Sequence, residues 1–192
     1  QGQQRFRSKQ VYEWLWKKSA HSFAEMTNLS KDLRAKLEEH FVIRGIEVAS
    51  FQKSNDRTIK TAFRLHDGPV VEGVLIPTSS RMTACISSQI GCSLTCKFCA
   101  TGKLKLLRNL DAAEIYDQVV AIRRQSEENY QIPLSNIVYM GMGEPLLNYK
   151  NVLASIEKIT SPEGLGMSPQ RITVSTAGIS KMIKKLGDDE VK

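Results

Sequence analysis

From residue 82 onward short, continuous apolar runs alternate with helical stretches, and this alternation constrains the fold more than any other feature of the chain. Met82 to Ser87 reads as a strand, Asp111 to about Asn129 as a helix, and Asn136 to Met140 as a second strand. A helix opening at Asn148 or Asn151 and running through Ile159, a strand at Arg171 to Thr176, and a helix from Gly178 to Leu186 complete the series. Strands that are apolar throughout are covered on both faces, and strands separated by helices pair in parallel. Asp111-Ala112-Ala113-Glu114 has the form of a capping box, which places the start of the long helix. Three strand–helix units fall short of a closed barrel, which takes eight units and ~250 residues. The expected fold class is therefore α/β, with about half of a (β/α) barrel. Its exposed edge, and an end at Asp188-Asp189-Glu190-Val191-Lys192 directly after a helix, suggest the front part of a longer protein.

Ahead of this series lie two other kinds of segment. Val11 and Leu15, with Trp14 and Trp16, form an apolar helical face behind Ser8, a candidate N-cap. Ser30 is a second candidate cap, followed by Leu33, Leu37 and Phe41 at helical spacing, with Phe23 and Met26 in a short helical segment between. Both tryptophans are expected in the core of this small bundle. From about Arg57 the period changes to two: Ile59, Thr61, Phe63 and Leu65 alternate with Lys60, Ala62 and Arg64. The turn signal His66-Asp67-Gly68-Pro69 and a return strand from Val70 to Ile76 make a hairpin. The expected organisation is a helical accessory domain over 1–50, a β-hairpin connection over 51–80, and the N-terminal half of a barrel over 81–192.

All four cysteines, Cys85, Cys92, Cys96 and Cys99, fall within fifteen positions. Secreted proteins spread cysteines to tie distant loops, whereas cytosolic ones cluster them to hold metal. The start, Gln1-Gly2-Gln3-Gln4-Arg5-Phe6-Arg7, lacks the apolar stretch of a signal peptide, and no run of ~18 apolar residues could cross a membrane. A cytoplasmic location follows as an expectation. Cys92-Ser93-Leu94-Thr95-Cys96-Lys97-Phe98-Cys99 follows a strand, at the end of a parallel sheet where such folds place active sites. Three thiolates on one loop can hold three irons of a 4Fe-4S cluster and leave the fourth open to a small molecule. Structural zinc, with Cys85 as fourth ligand, is the competing assignment. It is disfavoured because closed four-cysteine sites use two separated pairs, and because Cys85 lies mid-strand.

Two further strand ends carry ligand-type residues. Met140-Gly141-Met142-Gly143-Glu144-Pro145 exposes backbone at two glycines and offers a carboxylate at Glu144. Ser175-Thr176-Ala177-Gly178 repeats the pattern with hydroxyls. Either alone reads as a plain strand-to-helix turn; three successive strand ends of this kind favour a shared pocket.

The cysteine spacing followed by a G-x-G-E-P segment resembles the radical S-adenosylmethionine superfamily. Longer strings narrow the resemblance: those at Ser87–Gly102, Met140–Asn148 and Arg171–Gly178, with F-R-S-K-Q-V-Y-E-W near the start and V-E-G-V-L-I-P at Val71–Pro77, are similar to RlmN-type RNA adenine carbon-2 methyltransferases. The resemblance runs from Phe6 to about Leu186. It implies a 4Fe-4S cluster on Cys92, Cys96 and Cys99, and S-adenosylmethionine contacts at Gly143, Glu144 and Ser175. It implies Glu72 as a proton acceptor and Cys85 as a second reactive cysteine that resolves a covalent protein–RNA intermediate. It implies 23S ribosomal RNA and certain transfer RNAs as substrates, a reductant such as a flavodoxin, and an accessory domain that helps engage RNA. The family chemistry methylates an enzyme cysteine, takes a hydrogen from that methyl group with a deoxyadenosyl radical, and adds the methylene radical to adenine. Carbon 2 of adenine has no nucleophilic lone pair, so polar methyl transfer is closed to it and a cofactor must carry the reaction. In the family the methyl-carrying cysteine lies after the barrel, and no cysteine follows Cys99 here. The 192 residues alone are therefore expected not to turn over. The alternatives are the related carbon-8 adenine methyltransferases that confer antibiotic resistance and, from a different class, a zinc-stabilised RNA-binding protein.

Charge fits a polyanionic partner. Lysines and arginines number 27 against 20 acids, a net charge of +7. The excess concentrates in residues 1–60, with 12 against 7, and in Lys97, Lys103, Lys105 and Arg108 beside the cysteines. Glu72, judged from its strand alone, is expected to face solvent, and Cys85 to be a small buried apolar residue. His21, His40 and His66 are isolated in sequence and carry no assigned role.

Overall fold

The computed structural model describes residues 4–189. The leader and chain-end readings rest partly on residues outside this range. Helix α1 spans Phe6–Trp16 and α2 spans Lys31–His40, with a single 3₁₀ turn at Phe23–Glu25 between them. Ser30 caps α2 as expected, its side chain accepting the N–H of Leu33. Ser8 does not cap α1. The helix begins earlier, at Phe6, and the Ser8 hydroxyl instead donates back to the Arg5 carbonyl.

Strands β1 (Glu47–Lys53), β2 (Ile59–Arg64), β3 (Val70–Pro77), β4 (Met82–Cys85), β7 (Asn136–Tyr139) and β8 (Ile172–Val174) form one sheet, in the order β1-β2-β3-β4-β7-β8. The first four pair antiparallel, while β4, β7 and β8 pair in parallel. Two short strands, β5 (Gln89–Ile90) and β6 (Arg108–Asn109), form a separate antiparallel pair. The expected hairpin is thus the middle of an antiparallel extension that continues directly into the barrel strands. Sequence periodicity missed β1 because it is an exposed edge strand with a register break between Val48 and Ser50, so its side chains show no apolar alternation.

Helices α3 (Ala112–Tyr130) and α4 (Tyr149–Thr160) cover one face of the sheet, and α5 (Ser180–Asp188) follows β8. The core joins Ile59, Phe63, Val71, Leu75, Ala84 and Ile137 of the sheet to Ile115, Val119 and Ile122 of α3 and Val152 and Ile159 of α4. Asp111 and Glu114 close the capping box at the start of α3, each side chain accepting the other's backbone N–H. The other face of the sheet carries Lys60, Glu72, Val74, Ile76, Cys85, Val138 and Thr173, all exposed or half-buried. It is the side away from α3 and α4, on which a complete barrel places its interior.

The front helices have their own small core of Ala20, Phe23, Met26 and Leu29, with Val11, Trp14 and Leu15 against it. Trp16 leaves this cluster. Its ring meets Tyr116 of α3 edge-on at 5.1 Å, and its carbonyl accepts the Tyr116 hydroxyl. The second tryptophan therefore docks the helical front onto the sheet domain rather than filling the bundle.

Candidate functional site

The carboxyl ends of β4, β7 and β8 come together through buried polar groups. After Cys85 the chain leaves the ladder, and Ser87, Ser88 and Gln89 follow, each no more than 1% exposed. The Ser87 backbone N–H and carbonyl are both held by the Gln118 side-chain amide of α3, at 2.9 and 3.1 Å. Its hydroxyl donates to the Glu72 carbonyl at 2.6 Å and accepts the Met142 N–H at 2.8 Å. Ser88 and Gln89 donate their N–H groups to the Met142 carbonyl. Asn148 donates to the carbonyls of Ser88 and Leu110 at 2.8 and 2.7 Å. Unpaired polar groups at this depth would each cost about 1–3 kcal/mol, so this web holds three loops in one arrangement.

The cysteine loop grows from the β5–β6 neck. Gly91, at φ +74°, lies where an added Cβ would come within 2.1 Å of the Lys105 carbonyl oxygen, so only glycine lets the two arms close. Within the loop the Cys99 N–H donates to the Cys96 carbonyl, and Gly102 and Leu104 close a short turn at Thr101–Lys103. The Leu94 N–H points at the Cys92 sulfur at 3.4 Å. All four cysteines are unpaired and half-buried. Their environments differ. The Gly102 and Thr101 N–H groups hold the Cys99 thiol below the usual range, whereas burial raises that of Cys85.

Among the described residues the one trio of His, Cys, Asp and Glu side chains whose donor atoms all lie within 4.8 Å is His66, Asp67 and Glu114. A tetrahedral zinc, about 2.3 Å from each sulfur, would draw thiolates closer together than this, and the cysteines are not so gathered. Cys92, Cys96 and Cys99 share one open loop, and backbone N–H groups of that loop donate to the Cys99 thiol. The acid trio is no metal clasp either. Arg108 donates to both oxygens of Glu114 and both of Asp67, at 2.7 to 2.8 Å. These bonds, those to Glu114 first, raise the arginine pKa further and hold Asp67 low. Arg108 is therefore a tie between the neck, the β2–β3 turn and α3. The basic stretch beside the cysteines reduces to Lys97, Lys103 and Lys105, all exposed. His66, read as isolated, lies 3.5 Å from Glu114.

Gly143 and Glu144 stand at the β7 end. Gly143 has φ +95°, and an added Cβ would strike the Gln89 side chain. Glu144 is 3% exposed, and its two carboxylate oxygens accept the Leu146 N–H at 3.0 Å and the Ala177 N–H at 2.7 Å. It thereby ties the β7 end to the β8 end, a role its sequence context did not disclose. Ser175 is half-buried beside that tie. Glu72 is exposed and pairs with Lys60 at 2.7 Å. It shares the open sheet face with Cys85, two residues along β3 from Val74, the partner of Cys85 in the ladder. Strand geometry makes Glu72 and Cys85 diagonal neighbours, about 7 Å apart. Gln89 and Gln118 were not singled out from sequence, and Asn148 only as a possible helix start. Their one signal was the polar triplet Ser87-Ser88-Gln89 interrupting an otherwise apolar strand exit.

Elsewhere, a largely apolar cavity of about 440 Å³ lies between the front helices and α3, with Trp16, Phe23, His21 and Asp117 among its lining. No described helix is long and apolar enough to cross a membrane.

Residues 1–43 match the family described as the ribosomal RNA large subunit methyltransferase N-terminal domain. The chain is 64% identical over 192 residues to a protein of Christiangramia forsetii named "Probable dual-specificity RNA methyltransferase RlmN", covering 100% of the chain and 54% of the relative. It is 49% identical over 187 residues to the "Dual-specificity RNA methyltransferase RlmN" of Geotalea uraniireducens, covering 97% of the chain and 53% of that relative. A crystal structure of a radical SAM methyltransferase from Sphaerobacter thermophilus superposes with a TM-score of 0.87 at 40% identity, over 96% of this chain and 54% of that one. The chain thus spans about half the length of the proteins it matches.

Proposed function

Because the chain belongs to the RlmN family of radical S-adenosylmethionine methyltransferases, we propose that it supplies the cluster-holding and cofactor-binding part of an enzyme that methylates carbon 2 of adenine in 23S ribosomal RNA and transfer RNA. The observation that carries this reading is the union of three strand ends. The segment leading into the cysteine loop, the Gly143–Glu144 loop and the Ser175–Gly178 loop are joined by buried and half-buried hydrogen bonds. In this reading Cys92, Cys96 and Cys99 hold three irons. When bound, the cluster would supply the reducing power for cleavage of S-adenosylmethionine, with a reductant of flavodoxin type as its electron source.

This chain's own residues then do the positioning. The Gly143 backbone, free of a Cβ, and the Ser175 hydroxyl are assigned to the cofactor's amino and carboxylate groups. Glu144 acts by locking the β7 and β8 ends at a fixed spacing, with its outer lone pairs left for the cofactor's ammonium group. Glu72 and Cys85, on the open face, are assigned to proton removal and to the resolving thiol. The raised pKa of Cys85 suits a thiol that waits protonated until a base is near. The helical front, with its positive charge, is assigned to RNA engagement.

The test uses the intact protein that contains this sequence, prepared without oxygen. A brown protein with about four irons that places a methyl group on adenine carbon 2, identified by nuclease digestion and mass spectrometry, supports the reading. A colourless, zinc-loaded protein overturns it, and a carbon-8 product moves it to the related class.

A further inference from the structure

Gln89 lies three positions before Cys92 and is 1% exposed. Its side-chain oxygen accepts the Glu144 N–H at 2.8 Å. Its side-chain nitrogen donates to the Asn109 side-chain oxygen at 2.7 Å, and Asn109 donates in turn toward the Leu147 carbonyl at 3.5 Å. Its backbone N–H donates to the Met142 carbonyl. The ring begins and ends on the same 142–147 segment and passes through the β5–β6 neck, where Gln89 and Asn109 are register partners. Gly143 completes the fit: a Cβ there would stand 2.5 to 2.8 Å from three atoms of the Gln89 side chain.

Only a neutral amide satisfies both neighbours. A carboxylate in its place keeps the acceptor for Glu144 but cannot donate to Asn109. An apolar side chain of equal length leaves the buried Glu144 N–H without a partner and gives up the contact to Asn109. Gln89 is also one covalent segment with Cys92, so whatever fixes its side chain fixes the base of the cysteine loop.

We propose that Gln89 is a positioning residue that sets the spacing between the Gly143–Glu144 backbone and the cysteine loop, and so the approach of S-adenosylmethionine to the open iron. This rests on the functional reading above. Gln89 acts through the Glu144 N–H and the neck.

The test compares the intact protein with Gln89→Met, Gln89→Glu and Gln125→Ala, all reconstituted with iron and sulfide without oxygen. Gln125 makes a half-buried amide contact, to Thr61, away from the site, and so reports general loosening of the fold. Iron content, the electron paramagnetic resonance signal of the reduced cluster with and without S-adenosylmethionine, and release of deoxyadenosine are measured. The expected result is that Gln89→Met binds iron as the parent does, loses the signal change on adding S-adenosylmethionine, and cleaves it at least about tenfold more slowly. Gln89→Glu, which keeps the acceptor for Glu144, recovers part of both, and Gln125→Ala alters neither. A Gln89→Met protein with the parent's signal change and cleavage rate overturns the proposal while leaving the functional reading intact. So does a loss that Gln125→Ala shares. A parent protein that takes up no cluster removes the reading itself, and the proposal with it.

Discussion

The guanidinium of Arg108 donates to both oxygens of the Glu114 carboxylate at 2.7 Å, joining the strand that leaves the cysteine loop to the first turn of the longest helix. Glu114 is 2% exposed and also caps its own helix through the Asp111 N–H. One buried acid therefore fixes where α3 begins and where the loop's neck ends.

Removing the cation leaves that acid charged and buried. Arg108→Met is expected to destabilise the intact protein by about 3 kcal/mol. Adding Glu114→Gln, which removes the charge and keeps a capping acceptor, should return most of the loss. Denaturant midpoints of the parent, the single and the double variant check this, and a double variant no more stable than Arg108→Met contradicts it.

Gly91→Ala tests the neck without touching a thiol. The φ of +74° alone costs an L-residue about 1–2 kcal/mol, and the clash with the Lys105 carbonyl forces the arms apart. Iron uptake should fall sharply although all four cysteines remain titratable. Parent-level iron content in this variant would contradict the role given to the neck.

Cysteine substitutions should separate into two classes. Cys92→Ser, Cys96→Ser and Cys99→Ser should each lose the bound iron, whereas Cys85→Ser should retain it and fail only in product release. Iron analysis beside a gel assay for trapped protein–RNA adducts distinguishes them.

Asp117 gives the fold a pH dependence of its own. Burial against the front helices pushes its carboxyl up to about 7, with the Ile46 N–H opposing and Asp111 and Glu114 adding to the rise. The folded protein then binds a proton that the unfolded chain has released. The Asp117 contribution is most favourable below about pH 4 and is lost progressively as pH rises through 7. Asp117→Asn should therefore stabilise the protein at pH 8, by about 2 kcal/mol, and make little difference at pH 4. Equal effects at the two values would contradict the assignment.

RNA binding should depend on salt through the exposed lysines and not through Arg108. Replacing Lys97, Lys103 and Lys105 together should weaken binding and lower the slope of log affinity against log salt by about 2 to 3. An unchanged slope would place the RNA elsewhere.

Much of this was legible in the chain. Alternation located the parallel strands because buried strands must be apolar on both faces. Asp111 and Glu114 declared the start of α3 because a capping box is local chemistry, complete within four residues. The cysteine spacing marked out the loop between β5 and β6 for the same reason. The edge strand β1 was not legible, since an exposed strand with a bulge has no apolar period to display.

The rest was a matter of long-range pairing. Nothing near Arg108 in sequence says that it bonds to Asp67 on a turn 41 residues away, so it read as one more surface cation. Glu144 read as a free ligand until Ala177, 33 residues on, was found donating to it. Gln89 read as nothing at all, because its two partners belong to segments 20 and 55 residues away. By itself the sequence determined most of the element types, the caps of α2 and α3, the cysteine loop and the family likeness, each written in contacts a few residues long or in the pattern of apolar side chains. Only the tertiary structure decided which polar groups are consumed in holding the site and which remain to act. A buried donor or acceptor takes whatever partner the packing brings to it, and packing is a property of the folded chain.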